Sequence, residues 1–271
     1  MKRTGDSGIS LLNVLVVVAA GAGLVQVMLT DQTIAIDQLQ DAADVSQTRA
    51  LAQAGVSSVA VALRRDLQVA PESDHFREPW AANLQETIDL GFGEFSVTAE
   101  DLRGRFDLNA LGPGKIIEMR VFTALLKQLD LPETLASEIA TAVSQNGSLD
   151  APEELRGLGF SASDLQLLRP HVTALPVRHP LNLNAVTEPL LAALLSNPVA
   201  ADSLISRRAA AGFLDRNDFT SLGLLVPPLA GFASDAFSVT GSAETGNARS
   251  RLTRQVLRDR RTGQITLRWS E

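Results

Sequence analysis

The chain has 271 residues, a formal net charge of −7 and 45% hydrophobic residues, enough apolar material for one large or two small folded domains. The acidic balance argues against a general nucleic-acid binder, because such proteins carry a basic surface. The absence of cysteine excludes disulfides and thiol chemistry, and an aromatic content of 4% without tyrosine argues against stacking platforms for single strands.

The chain begins with a segment long and apolar enough to cross a membrane. No charged residue occurs between Gly8 and Leu29, and the segment lies between the basic pair Lys2 and Arg3 and the acidic Asp31. A helix of about 20 apolar residues spans the roughly 30 Å hydrocarbon core of a bilayer. We therefore expect the folded part of the chain to be attached to a membrane.

Three interpretations of this segment are open. A secretory signal peptide would be cleaved near Ala20-Gly21-Ala22, although apolar residues continue to Leu29. An uncleaved anchor would keep its basic start on the inner side of the membrane. The third interpretation rests on the short hydrophilic leader Met1 to Gly8, which ends in glycine directly before the apolar Ile9. This arrangement resembles the N-terminus of type IV pilin-like proteins, in which a prepilin peptidase cuts after the glycine and methylates the new amino terminus.

The pilin-like resemblance implies cleavage between Gly8 and Ile9 and retention of the apolar helix. Asn13 is then the fifth mature residue, where most such proteins carry Glu. A charged amino terminus packed among apolar helices is costly unless an opposite charge pairs with it, and that Glu supplies the charge to the neighbouring subunit. Because Asn13 supplies none, we predict a subunit at the tip of a filament, with no other subunit stacked ahead of it.

The helical pattern continues after the apolar segment, because no proline occurs before Pro71. One stripe at helical spacing consists of Ala52, Val56, Val59, Leu63 and Leu67. A continuous helix from Ile9 to Leu67 would be about 90 Å long at 1.5 Å per residue. Gly21-Ala22-Gly23 and Gly55 are positions at which it could bend.

Strands are predicted on both sides of a long helical region. Residues from Pro71 to Gly93 predict a connection, with a short helical turn at Ala82 to Ile88. An alternation of period two then predicts strands, whose apolar residues are Phe95, Val97 and Ala99, and later Phe237, Val239, Leu252, Val256, Ile265, Leu267 and Trp269. We expect these strands to form one antiparallel sheet on the C-terminal half of the long helix.

The pattern between these strands, from Asn109 to about Gly231, is helical. The predicted fold class is therefore α+β: a pilin-like long N-terminal helix packed on a small antiparallel sheet, with a large all-helical insertion between strands. The predicted division is residues 1–8 as the leader peptide, 9–30 as the transmembrane part of the long helix, 31–108 and 232–271 as the pilin-like α+β domain, and 109–231 as the inserted helical domain.

Two similar segments each precede a helix. They are Phe106-Asp107-Leu108-Asn109-Ala110-Leu111 and Pro180-Leu181-Asn182-Leu183-Asn184-Ala185-Val186. In each, an asparagine can cap the following helix or close an Asx turn, while Leu and Ala pack beneath it. The second segment continues into Leu190 to Leu195, Ile205-Ser206-Arg207-Arg208, Gly212-Phe213 and Asp218-Phe219.

The order of these features resembles the minor pseudopilin K family of bacterial type II secretion systems. That family combines a pilin-like N-terminus lacking the usual Glu, an N-L-N-A segment after the first strand, a helical insertion, a second N-x-N segment followed by helix pairs, and terminal strands. The resemblance covers essentially the whole chain. It implies a structural role in protein export across the outer membrane, a single pass through the bacterial inner membrane, and a globular body in the periplasm.

The resemblance also implies partners. These are other minor pseudopilins, contacted through the long helix, the prepilin peptidase, and secreted cargo or the outer-membrane channel. Two alternatives stay open: a tip minor pilin of a type IV pilus, and an exported DNA-binding protein that resembles helix-hairpin-helix domains. The second requires a Gly-rich hairpin whose amides meet phosphate, whereas this chain has Leu195-Ser196-Asn197-Pro198-Val199 there. No nucleic-acid partner is expected.

Motifs for catalysis and metal binding are missing from the sequence. The three histidines, His75, His171 and His179, lie outside any H-E-x-x-H frame, and no G-x-S-x-G elbow occurs. We therefore predict no enzyme activity, and surface or packing roles for the histidines. Family members can hold calcium in an acidic loop, but Ala142 to Gly147 occupies that region here, so no metal site and no cofactor are predicted.

Arginines crowd the C-terminal strands. They are Arg249, Arg251, Arg254, Arg258, Arg260, Arg261 and Arg268. The pattern predicts either a solvated strand face whose charges discourage edge pairing, or a docking surface for an acidic partner. Both interpretations are open.

Overall fold

The computed structural model of the protein describes residues 6–81, 87–158 and 160–269, with the side chains of residues 11–81, 87–157 and 160–269. Helix α1 spans Asp6–Val69, so the predicted long helix is confirmed. It is uninterrupted at Gly21-Ala22-Gly23 and at Gly55, the positions at which the sequence would allow a bend. The short helical turn expected at residues 82–88 falls mostly outside the described residues, and Ile88 belongs to a strand.

The remaining elements of the described residues follow in chain order. The helices are α2 Ile116–Gln128, α3 Leu135–Asn146, α4 Ala162–Leu168, α5 Glu188–Leu195, α6 Pro198–Ala211 and α7 Arg216–Ser221. The strands are β1 Ile88–Asp89, β2 Glu94–Asp101, β3 Phe106–Asp107, β4 Val172–Thr173, β5 Leu181–Asn182, β6 Ala230–Gly231, β7 Ala236–Thr245, β8 Ala248–Arg258 and β9 Ile265–Trp269. Short 3-10 helices occupy Leu102–Gly104, Leu108–Ala110 and Pro152–Leu158.

A five-stranded antiparallel sheet, in the order β1-β2-β7-β8-β9, joins the strands on either side of the insertion. The predicted sheet on the C-terminal half of α1 is thereby confirmed. The helix presents apolar side chains every three or four residues, and the strands present them every second residue, so two apolar faces meet. Their core consists of Val56, Val59, Ala60, Leu63, Trp80, Val97, Ala99, Phe237, Val239 and Val256.

Two glycines allow α1 and the sheet to approach closely. A side chain at Gly55 would collide with Phe95 and Val97, and one at Gly241 in β7 would overlap the carbonyl oxygen of Ala52. Gly55 is therefore a packing position within a continuous helix.

The insertion has a larger core of its own, in which Phe122 and Phe219 are fully buried. The predicted helical insertion is confirmed, but it is not all-helical: β3 pairs with β4 and β5 with β6, both in parallel. Strands of two residues leave no alternation in the sequence, so the pattern could not indicate them. The division into domains stays a prediction, and Phe106 and Leu108, placed on its pilin-like side, pack in the core of the insertion.

Candidate functional site

The N-terminal half of α1 is not covered by the rest of the described chain. All side chains from Leu11 to Ala43 are exposed, and the apolar window within them has a mean hydropathy of 2.2. Among the described helices, α1 is the one long and apolar enough to cross a membrane, judged by length and composition. It fits a single membrane anchor that carries a globular body.

The residues predicted for processing lie at the start of this helix. Gly8 and Ile9 are in the first turns of α1, but their side chains are outside the described ones, so the cleavage site stays a prediction. Asn13 is exposed among apolar neighbours. The charged residues from Leu11 to Thr48 are all acidic: Asp31, Asp37, Asp41 and Asp44.

A buried ionic cluster joins the end of α1 to β8 and to the segment that leaves the insertion. Arg258 at its centre has an exposed fraction of 2%. Its guanidinium donates to the carbonyl oxygen of Leu63 (2.9 Å) and to Asp66 (3.3 Å), and also to Asp74 (2.5 Å) and the carbonyl oxygen of Ser234 (2.7 Å). The junction cluster, as we name it, consists of Asp66, Asp74, Glu78 and Arg258.

Three carboxylates lie together beside this one guanidinium, which bonds Asp66 and Asp74. Asp66, Asp74 and Glu78 each place an oxygen within 4.8 Å of the others. Burial, and then the charges of Glu78 and Asp74, raise the pKa of Asp66 to about 7, while Arg258 opposes this effect. Burial also raises the pKa of Glu78, although its Oε2 accepts a hydrogen bond from the indole of Trp80 (2.7 Å).

The same three carboxylates are the candidate metal ligands of the described chain. Carboxylate oxygens suit Ca²⁺ and Mg²⁺, but Arg258 bonds two of the three and already supplies a positive charge between them. The loop Ala142 to Gly147 contributes no residue to this group. The arrangement is therefore that of an internal ion pair with surplus negative charge.

A second buried network ties the sheet to the insertion. Arg103 donates through Nε to Asp235 (2.5 Å) and through a terminal nitrogen to the carbonyl oxygen of Val177 (2.6 Å). Asp101 at the end of β2 accepts a hydrogen bond from the side chain of Asn182 (2.6 Å). Burial raises the pKa of Asp101 to about 6.

The two near-repeat segments have equivalent turns. Asp107 accepts a hydrogen bond from the backbone N–H of Asn109 (3.0 Å), and Asn182 accepts one from that of Asn184 (3.0 Å). Both are Asx turns. An asparagine closes the second, as the sequence predicted, whereas Asp107 and not Asn109 closes the first.

The asparagine two residues after the turn-forming side chain of each segment, Asn109 or Asn184, has a role that the sequence did not indicate. Asn109 accepts from the backbone N–H of Leu149 (2.8 Å) and donates to its carbonyl oxygen (2.9 Å). Asn184 accepts from the backbone N–H of Leu214 (2.6 Å). Each therefore fastens a distant loop of the insertion. The only signal in the sequence was that both segments carry an asparagine at the same offset.

The histidines make local packing and polar contacts. His75 stacks on Phe213 with 4.7 Å between ring centres. His171 Nδ1 lies 2.7 Å from the hydroxyl of Thr187, and His179 Nε2 lies 3.1 Å from Oδ2 of the buried Asp235. His75 also lies beside the candidate metal group, because its Nε2 is 3.6 Å from Oε1 of Glu78 and its backbone N–H donates to Glu78 Oε2 (3.1 Å).

The C-terminal arginines lie in different environments. Arg258 is buried, Arg249 pairs with Glu244 (2.8 Å), and Arg260 donates to the backbone of the connection after α1. Arg251 and Arg268 line a groove of about 990 Å³ between the outer face of the sheet and the insertion. The arginines thus form neither one solvated face nor one docking surface.

The turn between α5 and α6 was the candidate DNA-binding hairpin. Ser196 adopts a left-handed conformation (φ +51°), and the side chain of Asn197 accepts a hydrogen bond from the backbone N–H of Ala200 (3.2 Å). DNA binding by such a hairpin requires free backbone N–H groups that can face a phosphate. The N–H of Ala200, at the start of α6, is instead bonded to the side chain of Asn197.

Comparison with known proteins identifies the family. The chain is 31% identical to the type II secretion system protein K of Pseudomonas aeruginosa, in an alignment that covers 80% of this chain and 77% of that protein. The chain belongs to the type II secretion system protein K family. A family model described as type II secretion system (T2SS), protein K matches residues 181–240, from the second near-repeat segment into β7.

The fold agrees with this family. A chain of the crystal structure of the GspK-GspI-GspJ complex from the type 2 secretion system of enterotoxigenic Escherichia coli matches with a TM-score of 0.61 and 20% identity, covering 88% of this chain and 98% of that chain. The predicted α+β fold and the predicted family are confirmed. The protein is a minor pseudopilin, a structural component of a machinery that exports proteins. Neither alternative, a type IV pilus subunit or a DNA-binding protein, is favoured.

Proposed function

We propose that this minor pseudopilin lies at the tip of the type II secretion pseudopilus, where it acts in assembly and not as an enzyme. The observation that carries the proposal is the exposed apolar half of α1. An apolar surface of this extent needs lipid or other helices around it. In this proposal α1 lies in the bacterial inner membrane before assembly and among the helices of the pseudopilus afterwards.

The globular body lies in the periplasm in this proposal. Lys2 and Arg3 precede the apolar segment, and basic residues favour the cytoplasmic side. The prepilin peptidase removes residues 1–8, so that Ile9 becomes the methylated N-terminus. Asn13 supports the tip position, because its uncharged side chain cannot pair with the amino terminus of a subunit ahead.

Other minor pseudopilins are the proposed partners and are contacted through α1. The similar solved structure is a complex of GspK with GspI and GspJ, which supports companions of this kind. In this proposal the insertion contacts secreted cargo or the outer-membrane channel. The proposed role requires no cofactor and no nucleic acid.

Mass spectrometry of the mature chain, made in a host with an active prepilin peptidase, tests the processing step. We expect the chain to begin with methylated Ile9, and the variant Gly8→Val to keep its leader. Gly21→Ala is the matched control, because it changes a glycine of the same helix away from the leader, and its processing should be normal. A mature chain beginning at Gly23 would replace the pilin-like interpretation with a secretory signal peptide.

Cysteine cross-linking tests the contact through α1. The chain has no cysteine, so a single introduced thiol gives no background. We expect Leu39→Cys, exposed on α1, to cross-link in membranes to single-cysteine helices of the companion pseudopilins. Glu138→Cys, exposed on α3 of the insertion, is the control and should not do so. Cross-linking from position 138 alone would contradict assembly through α1.

Immunogold labelling of overproduced pseudopili tests the tip position. We expect label against this subunit at filament ends. Label distributed along the shaft would contradict the tip position while leaving the assembly role intact.

A further inference from the structure

An edge of the sheet carries apolar side chains that the described part of the chain leaves exposed. The face of β9 that points to the side of α1 carries Ile265, Leu267 and Trp269, because these residues pair in register with Arg258, Val256 and Arg254. Their exposure rises along the strand, and Leu267 is 47% and Trp269 72% exposed. A tryptophan this exposed on the core-facing side of a strand indicates a surface that another molecule covers.

Two arginines complete this surface. The guanidinium carbon of Arg254 lies 3.1 Å from the centre of the Trp269 ring. Partial desolvation, and then the nearby guanidinium of Arg49 on α1, lower the pKa of Arg254. Two like charges close together are unfavourable unless a negative charge joins them. The β9 patch, as we name it, consists of Arg49, Arg254, Leu267 and Trp269.

The two arginines of the β9 patch have no anionic partner among the described residues. Within residues 11–81, 87–157 and 160–269, no carboxylate lies within salt-bridge distance of Arg49 or Arg254. Arg249 and Arg258 on the same strand both have one. Tryptophan and arginine are also the residues that contribute most to protein interfaces.

We propose that the β9 patch binds an acidic, amphipathic helix of a neighbouring pseudopilin, with its carboxylates on Arg49 and Arg254 and its apolar side chains on Leu267 and Trp269. The proposal rests on the proposed function and names the surface that one companion uses. The β9 patch is a different surface from the apolar part of α1, through which the other helix contacts are made.

The geometry of the sheet favours a helix as the occupant. α1 packs over β7 and β8 and leaves the same face of β9 open. Packed helices lie about 8–10 Å apart, and strands are spaced by about 4.8 Å, so a second helix beside α1 would lie over β9 and its free edge. The exposed stem of α1 shows that a pseudopilin helix can carry such a surface, since Asp37 and Asp41 stand one turn apart beside the exposed Ile36 and Leu39.

A membrane and a single-stranded nucleic acid fit the β9 patch less well than a protein helix does. Nineteen residues of helix separate Thr30, at the end of the apolar segment, from Arg49, which is about 30 Å at 1.5 Å per residue, so the patch stands clear of a membrane crossed by α1. A single-stranded nucleic acid would need several aromatic platforms, whereas Trp80, the other tryptophan of the chain, is buried.

Binding of the full chain in detergent to its companion minor pseudopilins tests the proposal. We expect Arg49→Glu combined with Arg254→Glu to weaken the complex at least tenfold. The matched control is Arg251→Glu combined with Arg268→Glu, which makes the same change of charge on β8 and β9 but on the opposite face of the sheet, and it should bind within twofold of the wild type. Arg49→Glu alone, at an exposed position that does not stack on Trp269, serves if the double variant unfolds, and it should weaken binding at least threefold.

Tryptophan fluorescence gives a second measurement. Acrylamide should quench Trp269 in the free chain and not in the complex, and Trp269→Phe should abolish the quenchable component while the buried Trp80 is unaffected. Equal binding by the patch and control variants, or a Trp269 that stays quenchable in the complex, would overturn the proposal. Protection of Trp269 by phosphatidylglycerol vesicles would also overturn it, in favour of a membrane contact. Failure of the wild type to bind any companion would instead reject the proposed function.

Discussion

Replacing Asp66 by asparagine should stabilise the protein above neutral pH. The carboxyl lies in the junction cluster, where its pKa is raised from 3.8 to about 7, first by burial and then by Glu78 and Asp74. At 1.36 kcal/mol for each pH unit, a difference of about 3 pH units means that ionising Asp66 costs the folded chain about 4 kcal/mol. Asparagine keeps an oxygen for Arg258 and has no charge to ionise.

The sign of the pH dependence follows from the two pKa values. Below pH 3.8 the carboxyl is neutral in the folded and the unfolded chain, so the cost is absent. Between pH 3.8 and about 7 the unfolded chain loses the proton while the folded chain keeps it, so the free energy of unfolding falls as the pH rises. Above that range both forms are ionised and the full cost remains.

The expected gain is smaller than the full cost. The charge-assisted hydrogen bond from Arg258 becomes a neutral one, which loses about 1–2 kcal/mol. We therefore expect Asp66→Asn to raise the free energy of unfolding by about 2 kcal/mol at pH 8 and to change it little at pH 4. Asp101 and Glu78 also have raised pKa values, so only the difference between variant and wild type isolates Asp66.

Denaturant unfolding of the full chain in detergent, at several pH values, measures this difference. In a Trp269→Phe background the remaining tryptophan is Trp80, which is bonded to Glu78 within the junction cluster. Asp41→Asn on the exposed stem of α1 is the control and should have no effect. A variant less stable than the wild type at pH 8 would refute the reasoning, because it would mean that Asp66 is needed there as an anion.

Three further substitutions test the packing of the fold by the same measurement, with Arg261→Met at an exposed turn as a common control. Arg258→Met should lower the free energy of unfolding by about 3–5 kcal/mol, because Asp74 stays buried without a counter-ion; a change below 1 kcal/mol would contradict this. Gly241→Val should cost about 1–3 kcal/mol or more, because its side chain meets the backbone of α1; a neutral result would mean that the helix is not so close. Asn109→Ala should cost about 2–4 kcal/mol through the lost loop contacts, and unchanged stability would contradict their role.

The sequence was sufficient for the elements that depend on periodic patterns. The stripe from Ala52 to Leu67 predicted the packed half of α1, and the alternation through Phe95 and Val97 predicted β2, because burial of one face imposes a fixed spacing on apolar residues. The order of motifs indicated the family, although no single motif was specific. β3 to β6 were missed because pairs of two residues are decided by the packing of the insertion and not by local preference.

The junction cluster could not be predicted, since it joins residues from distant parts of the chain. No sequence pattern singled out Asp66 or Asp74, and Arg258 was one of seven arginines in the C-terminal strands. One signal was available: strand alternation places Arg254 and Arg258 on the same face as Val256, which faces the core. A charge at such a position needs a buried partner or a partner from another molecule. The structure shows the first case for Arg258, and we propose the second for Arg254.

The uninterrupted course of α1 fixes an angular relation between its two ends. Thr48 is fully buried where the helix meets the body of the protein, and Asn13 lies 35 residues earlier on the same helix. At roughly 100° per residue, Asn13 points about 100° away from the direction in which Thr48 faces, and it lies about 50 Å further along the axis. A contact that holds the body in a given rotation therefore also decides which neighbour Asn13 faces in the apolar interior.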